Sequence, residues 1–330
     1  MNRTEPSAAL SRRASSHSAA NYIDPAALMR IRNLQLRARA VVDGFLGGLH
    51  RSPFHGFSVE FTEYRHYSPG DDLRFLDWRL FARSDHYYLR KFEDETNARC
   101  YLLVDLSRSM SFRSLEYDKA EYARTVAATI AYFLTLQRDS IGLITFDEAI
   151  HDYIPARFRP GHLHQLMLRL ERATAGKGTD LTRPLDQIAR TASKRGVVIL
   201  LSDLLAPVED VEVRLGHLRA RGHDVIVIRI LDPAEIGFQF QEESLFYDLE
   251  TGRELYVDPQ AVQRLYHERF TEHARAMTRA CHKIGADYFE LTTDRPLDAV
   301  LFHILQSRAR RGRSNARRGG PGRSTREGGR

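Results

Sequence analysis

The chain has 330 residues and a net charge of +6 at pH 7. This length suffices for one large domain with a sizeable core and an accessory region. No apolar run approaches the ~18 residues needed to cross a bilayer, and the N-terminus has no hydrophobic signal core. These features exclude a membrane-spanning class and predict a cytoplasmic protein without a transmembrane segment.

The two ends of the chain are of low complexity. Residues 1–21 are rich in Ser, Ala and Arg and are predicted to be disordered, as is the Arg-rich tail at 306–330. Residues 307–330 hold nine arginines and one glutamate. The net charge of this segment, 9 − 1 = +8, exceeds the +6 of the whole chain. The tail can contact RNA, DNA or anionic lipid by charge alone, but it lacks interleaved aromatic residues for base stacking. We therefore expect a solubilising or weakly binding tail and no specific nucleic-acid partner.

Residues 22–97 are predicted to form an accessory helix and hairpin region. Asp24 precedes Pro25 as an N-cap would, and apolar residues then recur at helical spacing up to Gly47-Gly48. This pattern predicts one amphipathic helix that ends at the glycine pair. Alternating residues then predict two strands, at 57–67 and 87–92, with a turn at 68–72 after the first of them.

From residue 98 to residue 305, apolar runs alternate with helical patterns. This alternation predicts a doubly wound, mostly parallel α/β sheet with helices on both faces. The predicted strands are 101–104, 141–146, 197–201, 225–230 and 286–291, and the predicted helices are 118–136, 162–172, 184–194, 208–221 and 259–284. A β-hairpin at 245–249 and 254–257 is predicted as an insertion.

Oxygen-bearing side chains follow the first strand of this domain. Asp105 ends the apolar run, and Ser107 and Ser109 follow it. In open α/β sheets ligands bind beyond the carboxyl ends of the strands, and such oxygens suit Mg²⁺. Taken alone, the same motif also fits a helix N-cap with turn serines.

Two further oxygen donors favour a metal site over the N-cap interpretation. Thr179 lies in the glycine-flanked loop 176–180, and Asp203 follows the strand predicted at 197–201. Strand ends converge on one edge of a doubly wound sheet. The sequence therefore predicts a site for Mg²⁺ or Mn²⁺ formed by Asp105, Ser107, Ser109, Thr179 and Asp203.

The motifs of common enzymes are missing from the sequence. An aspartyl phosphatase needs a second carboxylate two residues after its nucleophile, and Ser107 stands at that place after Asp105. There is also no Gly-x-Ser-x-Gly elbow, P-loop or dinucleotide fingerprint. We therefore predict no enzymatic activity, with a metal-dependent phosphoester hydrolase as the alternative.

The ordered set of five oxygen donors resembles the metal-ion-dependent adhesion site of von Willebrand factor A-type domains. The resemblance extends over about residues 98–305. It implies that Ser107, Ser109 and Thr179 hold Mg²⁺ directly or nearly so, while Asp105 and Asp203 act mostly through water. It also implies an open coordination position for a carboxylate of a partner protein.

The N-terminal part carries a more specific resemblance. The run from Glu63 to Arg74, followed by Leu76-Asp77-Trp78, closely resembles the bacterial family known as domain of unknown function 58, and the likeness extends over about residues 24–305. This resemblance implies a von Willebrand A-like domain and a MoxR-type AAA+ ATPase as partner. Many members have membrane helices, which this sequence lacks, and the Arg-rich tail is not part of the shared pattern.

The same run offers candidate partner-binding residues, although its acids also suit a turn in which they pair with nearby arginines. The candidates are Arg65, Asp71, Asp72, Arg74, Asp77 and Trp78. Together these features predict a metal-dependent protein-binding adaptor that acts with a MoxR-type ATPase in protein maturation or complex assembly. A phosphoester hydrolase and tail-mediated nucleic-acid binding are the alternatives.

Overall fold

The computed structural model describes a doubly wound domain and parts of the chain that precede it. The described residues are 23–51, 63–66, 88–91, 98–172, 176, 178, 180–192, 194–238, 240, 244–247, 254–298 and 300–301. Both predicted disordered ends and the turn predicted at 68–72 lie outside these ranges. So does Thr179.

The helices and strands have the following bounds. The strands are β1 (Glu63–His66), β2 (Tyr88–Lys91), β3 (Arg99–Asp105), β4 (Ser140–Phe146), β5 (Ile150–Arg157), β6 (Val197–Ser202), β7 (Asp224–Leu231), β8 (Ser244–Tyr247), β9 (Glu254–Val257) and β10 (Asp287–Thr292). The α-helices are α1 (Pro25–Met29), α2 (Leu34–Arg51), α3 (Lys119–Leu136), α4 (His162–Leu170), α5 (Thr182–Thr191), α6 (Val208–Ala220), α7 (Pro233–Gly237) and α8 (Pro259–Lys283).

The predicted doubly wound, mostly parallel α/β fold is confirmed. The central sheet has the order β10-β7-β6-β3-β4-β5, and its strands are parallel except β5, which pairs antiparallel with β4. Counted along the chain, this is the order 3-2-1-4-5-6 of dinucleotide-binding folds. The strand order reverses between β3 and β6, and ligands bind at such a switch point in these sheets.

The sheet separates two apolar cores, as expected for strands that helices cover on both faces. Along β3, Leu102 and Val104 belong to one core and Leu103 to the other, because successive side chains of a strand point to opposite faces. Helices α2, α3 and α4 contribute to the first core, and α5, α6 and α8 to the second. The polar residues that follow the strands therefore gather at the edge between the two cores.

The prediction of one N-terminal helix that ends at the glycine pair is wrong. The chain forms two helices, α1 and α2, and α2 continues through Gly47-Gly48 to Arg51. The first helix ends at Met29, where the chain turns. At the start of α2, the side chain of Asn33 accepts a hydrogen bond from the backbone N–H of Leu36 at 2.9 Å. Such an N-cap contact starts a new helix.

The two hairpins are antiparallel, as predicted, where the structure describes them. β1 pairs with β2 and β8 pairs with β9. The edge strand β5 and the short helix α7 are not predicted from sequence. In β5 the side chains are only partly buried, so its apolar pattern is too weak to separate it from a loop.

Within the described residues, no helix is long and apolar enough to cross a membrane.

A buried arginine joins the N-terminal helices to the domain. The Arg37 guanidinium donates to the carbonyl oxygen of Met29 at 2.9 Å, to the Glu121 carboxylate at 2.7 Å and to the Thr125 hydroxyl at 3.1 Å. Because Glu121 and Thr125 belong to α3, one side chain connects α1, α2 and α3. The N-terminal helices are thus packed on the domain by polar contacts as well as apolar ones.

We expect Arg37→Ala to lower the free energy of unfolding by about 2–4 kcal/mol, because buried oxygens lose their donor. The matched control is Arg39→Ala, which removes an exposed pair with Asp43 and should change stability by less than about 0.5 kcal/mol. Urea unfolding followed by circular dichroism measures both. Equal effects of the two substitutions would contradict the structural role of Arg37.

Candidate metal centre

Asp105 ends β3 and is completely buried at the carboxyl edge of the sheet. Its Oδ1 accepts a hydrogen bond from the backbone N–H of Ser107 at 2.9 Å, which forms a tight Asx-type turn. Its Oδ2 accepts from the Ser202 hydroxyl at 2.5 Å. The carboxylate is therefore fixed both by its own loop and by the end of the neighbouring strand β6.

The two serines of the motif bring their hydroxyls together. Ser107 and Ser109 are buried, and their Oγ atoms lie 3.1 Å apart. A short 3-10 helix, Ser109–Ser111, turns the chain back after them. Adjacent ligands of an octahedral Mg²⁺ ion at 2.0–2.1 Å lie about 3 Å apart, so the hydroxyl spacing fits such an ion.

Asp203 follows β6 and is also fully buried. Its Oδ2 accepts from the Lys119 ammonium at 2.9 Å, and the same Nζ lies 2.6 Å from Oε1 of Glu235. Arg229 donates from Nε to the Asp203 carbonyl oxygen at 3.1 Å. A protein cation thus already balances Asp203, whereas Asp105 receives its hydrogen bonds from neutral groups.

Sequence reasoning missed Lys119, Ser202 and Glu235. One signal for Lys119 was available, because it is the first residue of a helix after the N-cap Asp118, and the helix dipole disfavours a cation there. A lysine in this position therefore indicates another stabilising partner. Glu235 caps the short helix α7 together with Asp232. Its ion pair with Lys119 could not be predicted from the sequence, because the two residues are 116 positions apart.

The electrostatics of the site follow from burial. Burial, together with the nearby charge of Asp203, raises the pKa of Asp105 to about 7. Burial disfavours the charged ammonium of Lys119, but Asp203 and Glu235 outweigh it and raise the pKa of this lysine. A further cation beside Asp105 would offset its charge, so the donor set fits a divalent metal ion.

The glycine-flanked loop reaches the same edge of the sheet. A Cβ atom on Gly176 would lie 2.5 Å from the carbonyl carbon of Ser107, so only glycine fits there. The backbone N–H of Gly178 donates to Glu148 at 3.2 Å, and that of Asp180 donates to the carbonyl oxygen of Asp147 at 3.0 Å. The described residues of the loop therefore pack against the Asp105–Ser109 segment and the β4–β5 turn.

The structure brings together Asp105, Ser107, Ser109 and Asp203 at one edge, whereas Thr179 lies outside the described residues. Across the described ranges, no group of three or more His, Cys, Asp or Glu side chains is arranged to hold a metal ion. The candidate centre therefore depends on hydroxyl ligands.

The predicted partner-binding surface is described at one position only. Arg65 lies in β1, where it pairs with Leu89 of β2. Asp71, Asp72, Arg74, Asp77 and Trp78 lie outside the described residues. That surface stays a prediction.

Comparison with known proteins identifies the family. Residues 63–277 match the model of the family described as "Protein of unknown function DUF58". The chain belongs to the DUF58 family. The uncharacterized protein Rv1480 of Mycobacterium tuberculosis is 30% identical over 292 residues, which cover 87% of this chain and 91% of that one. The uncharacterized protein MAV169 of Mycobacterium avium is 31% identical over 163 residues, 48% of this chain and 94% of that one.

Solved structures with similar chains are more distant from this DUF58 protein. An aerotolerance-related membrane protein of Bacteroides fragilis is 13% identical with a TM-score of 0.45, covering 63% of this chain and 97% of that one. The protein BatB of Bacteroides thetaiotaomicron is 13% identical with a TM-score of 0.41, covering 64% and 99%. The SpRpn10 VWA domain is 12% identical with a TM-score of 0.38, covering 62% and 93%.

The raised pKa of Asp105 predicts a pH-dependent stability difference. A folded state that holds this proton more tightly than the unfolded chain is favoured at acid pH, and the advantage is lost as pH rises through about 7. In EDTA, Asp105→Asn should therefore gain stability relative to the unsubstituted protein between about pH 4 and pH 7, by a few kcal/mol in order of magnitude. Urea unfolding at several pH values measures it, and a constant difference would contradict the prediction.

Proposed function

We propose that this DUF58 protein is an adaptor that binds a partner protein through a divalent metal ion, Mg²⁺ or Mn²⁺. The residues that would hold the ion are Asp105, Ser107, Ser109, Thr179 and Asp203. When bound, the ion would supply a coordination position for a carboxylate of the partner. The observation that carries this proposal is the pair of buried hydroxyls 3.1 Å apart beside the buried Asp105 carboxylate.

Residues of the chain orient the Asp105 carboxylate and reduce the negative charge at this edge of the sheet, which favours binding of a carboxylate from a partner. Ser107 and Ser202 orient Asp105 through hydrogen bonds at 2.9 and 2.5 Å. The Lys119 ammonium pairs with the Asp203 carboxylate. This ion pair reduces the net negative charge of the site. Because hydroxyl ligands neutralise little of a metal's charge, such a site favours an additional anionic ligand.

A MoxR-type AAA+ ATPase, or a client that it acts on, is the proposed partner. Support for this partner comes from the resemblance of residues 63–74 to a family whose members are typically found together with such ATPases. The adaptor is proposed to act in protein maturation or complex assembly. No catalytic step is part of the proposal, because Ser107 stands where a phosphatase would need its second carboxylate.

Direct metal binding is the first test. Isothermal titration of the full chain with MgCl₂ and with MnCl₂ should show one site, and Asp105→Ala or Ser109→Ala should weaken binding by more than about tenfold. The matched control is Ser111→Ala, since Ser111 lies in the same 3-10 helix but is exposed and bonds the carbonyl oxygen of Arg108. No binding by the unsubstituted protein, or binding unchanged in Asp105→Ala, would refute the metal centre.

Partner capture is the second test. The immobilised full chain should retain the MoxR-type ATPase of the same organism in Mg²⁺ and release it in EDTA. Because the ATPase itself uses Mg²⁺ with ATP, the deciding comparison is made in Mg²⁺ between Asp105→Ala, which should fail to retain it, and Ser111→Ala, which should retain it. Equal recovery by both variants would refute the metal-bridged mechanism and leave an adaptor that binds by another surface.

A further inference from the structure

An apolar groove lies beside the candidate metal centre. It is formed by the β8–β9 hairpin, the end of α7 and the first half of α8, and its volume is about 460 Å³. We call it the hairpin groove, and its lining residues include Phe112, Phe238, Phe246, Leu255, Leu265 and Tyr266. A concave apolar surface of this size is within the range of pockets that bind ligands.

Stacked aromatic rings hold one wall of the groove in place. Phe238 and Tyr266 are stacked with ring centroids 4.3 Å apart, and Phe246 is stacked on Phe238 at 6.1 Å. Phe238 has a left-handed backbone conformation, with φ of 44°, which is uncommon for a bulky residue. The Tyr266 hydroxyl donates to the carbonyl oxygen of Glu235 at 2.7 Å, so the wall is anchored to α7.

Two of the large apolar side chains that line the groove are exposed. Leu255 and Leu265 are each more than half accessible to solvent. Leu245, Tyr247 and Tyr256 are also more than half accessible, but they alternate along the hairpin with the residues that line the groove and therefore lie on its other face. Exposed apolar side chains in a concave surface mark interaction sites in soluble domains.

The charges at the groove select the chemistry of its occupant. Glu235 and Arg269 are charged residues that line it. Glu235 is already engaged by the Lys119 ammonium at 2.6 Å. Arg269 is exposed and forms no ion pair with any residue that the structure describes. Among the described residues that line the groove, Arg269 is therefore the positive charge that an acidic residue of a partner would complement.

The hairpin groove adjoins the candidate centre. Phe112 lines the groove and directly follows the 3-10 helix that carries Ser109. The Lys119 ammonium lies 5.9 Å from the centre of the Phe112 ring and also bonds Asp203. One lysine thus separates the apolar groove from a carboxylate of the centre.

We propose that the hairpin groove binds a segment of the partner protein in which leucine or aromatic side chains lie next to an acidic residue. The apolar side chains enter the groove, and the acidic residue pairs with Arg269. This inference rests on the proposed function, because it describes the part of the same partner that lies beside the carboxylate-binding centre.

Peptide selection on the full chain tests this inference. A random peptide library displayed on phage is selected against the protein in Mg²⁺, and the most enriched sequence is synthesised with a fluorescent label. Enriched sequences should combine leucine or aromatic residues with Asp or Glu. Selection of sequences without that combination would overturn the inference.

Matched variants then locate the bound peptide by fluorescence anisotropy. Leu265→Glu should weaken binding at least about tenfold, and Arg269→Gln about threefold. Leu36→Glu is the control, because Leu36 is 56% exposed on α2 and Leu265 is 55% exposed. Thermal unfolding checks that both leucine variants fold. Unchanged affinity in Leu265→Glu would overturn the inference.

Two further readouts separate this inference from its alternatives. Metal titration of Leu265→Glu reports on the centre alone. If this variant binds Mg²⁺ normally and its peptide affinity is also unchanged, the groove inference is overturned but the proposed function stands. If the unsubstituted protein binds no Mg²⁺ but its peptide binding depends on Leu265, the groove inference is supported and the metal centre is overturned. Light scattering measures self-association, and a dimer lost in Leu265→Glu would assign the groove to a second copy and overturn the inference.

Discussion

The buried ammonium of Lys119 is the interaction on which the carboxyl edge of the sheet depends. It lies 2.9 Å from Asp203 and 2.6 Å from Glu235, and its side chain is inaccessible to solvent. Buried charges are tolerated only when they are paired and hydrogen-bonded. This one cation therefore joins the start of α3, the end of β6 and the helix α7 into a single polar unit beneath the surface.

That unit makes the two aspartates of the candidate centre unequal. Asp203 has a protein cation as partner, whereas Asp105 is held by a backbone N–H and the Ser202 hydroxyl. Burial and the neighbouring Asp203 raise the pKa of Asp105 to about 7, which is the sign of a carboxylate with too little positive charge nearby. The hydroxyls of Ser107 and Ser109 lie on the same loop as this under-compensated group.

The loop around the candidate centre is packed tightly against its neighbours. Gly176 lies so close to the backbone of the 106–108 segment that a side chain there would collide with it. Lys119 extends the same unit towards the hairpin groove through Glu235 and Phe112. Two chemically different regions, one polar and one apolar, thus adjoin each other at the carboxyl edge of the sheet, where the strand order reverses.

The sequence by itself determined the parallel sheet, because apolar runs separated by helical patterns can be buried only between two layers of helices. It also placed Asp105 and Asp203 at the ends of two predicted strands, and the structure shows that these strands are adjacent and parallel, with Val104 paired with Leu201. The break between α1 and α2 and the half-buried strand β5 carried weaker local signals. Only the tertiary structure decided that Lys119 bridges Asp203 and Glu235. In the sequence, Lys119 is 84 positions from Asp203 and 116 positions from Glu235, so their contact depends on how α3 and α7 pack at the strand ends.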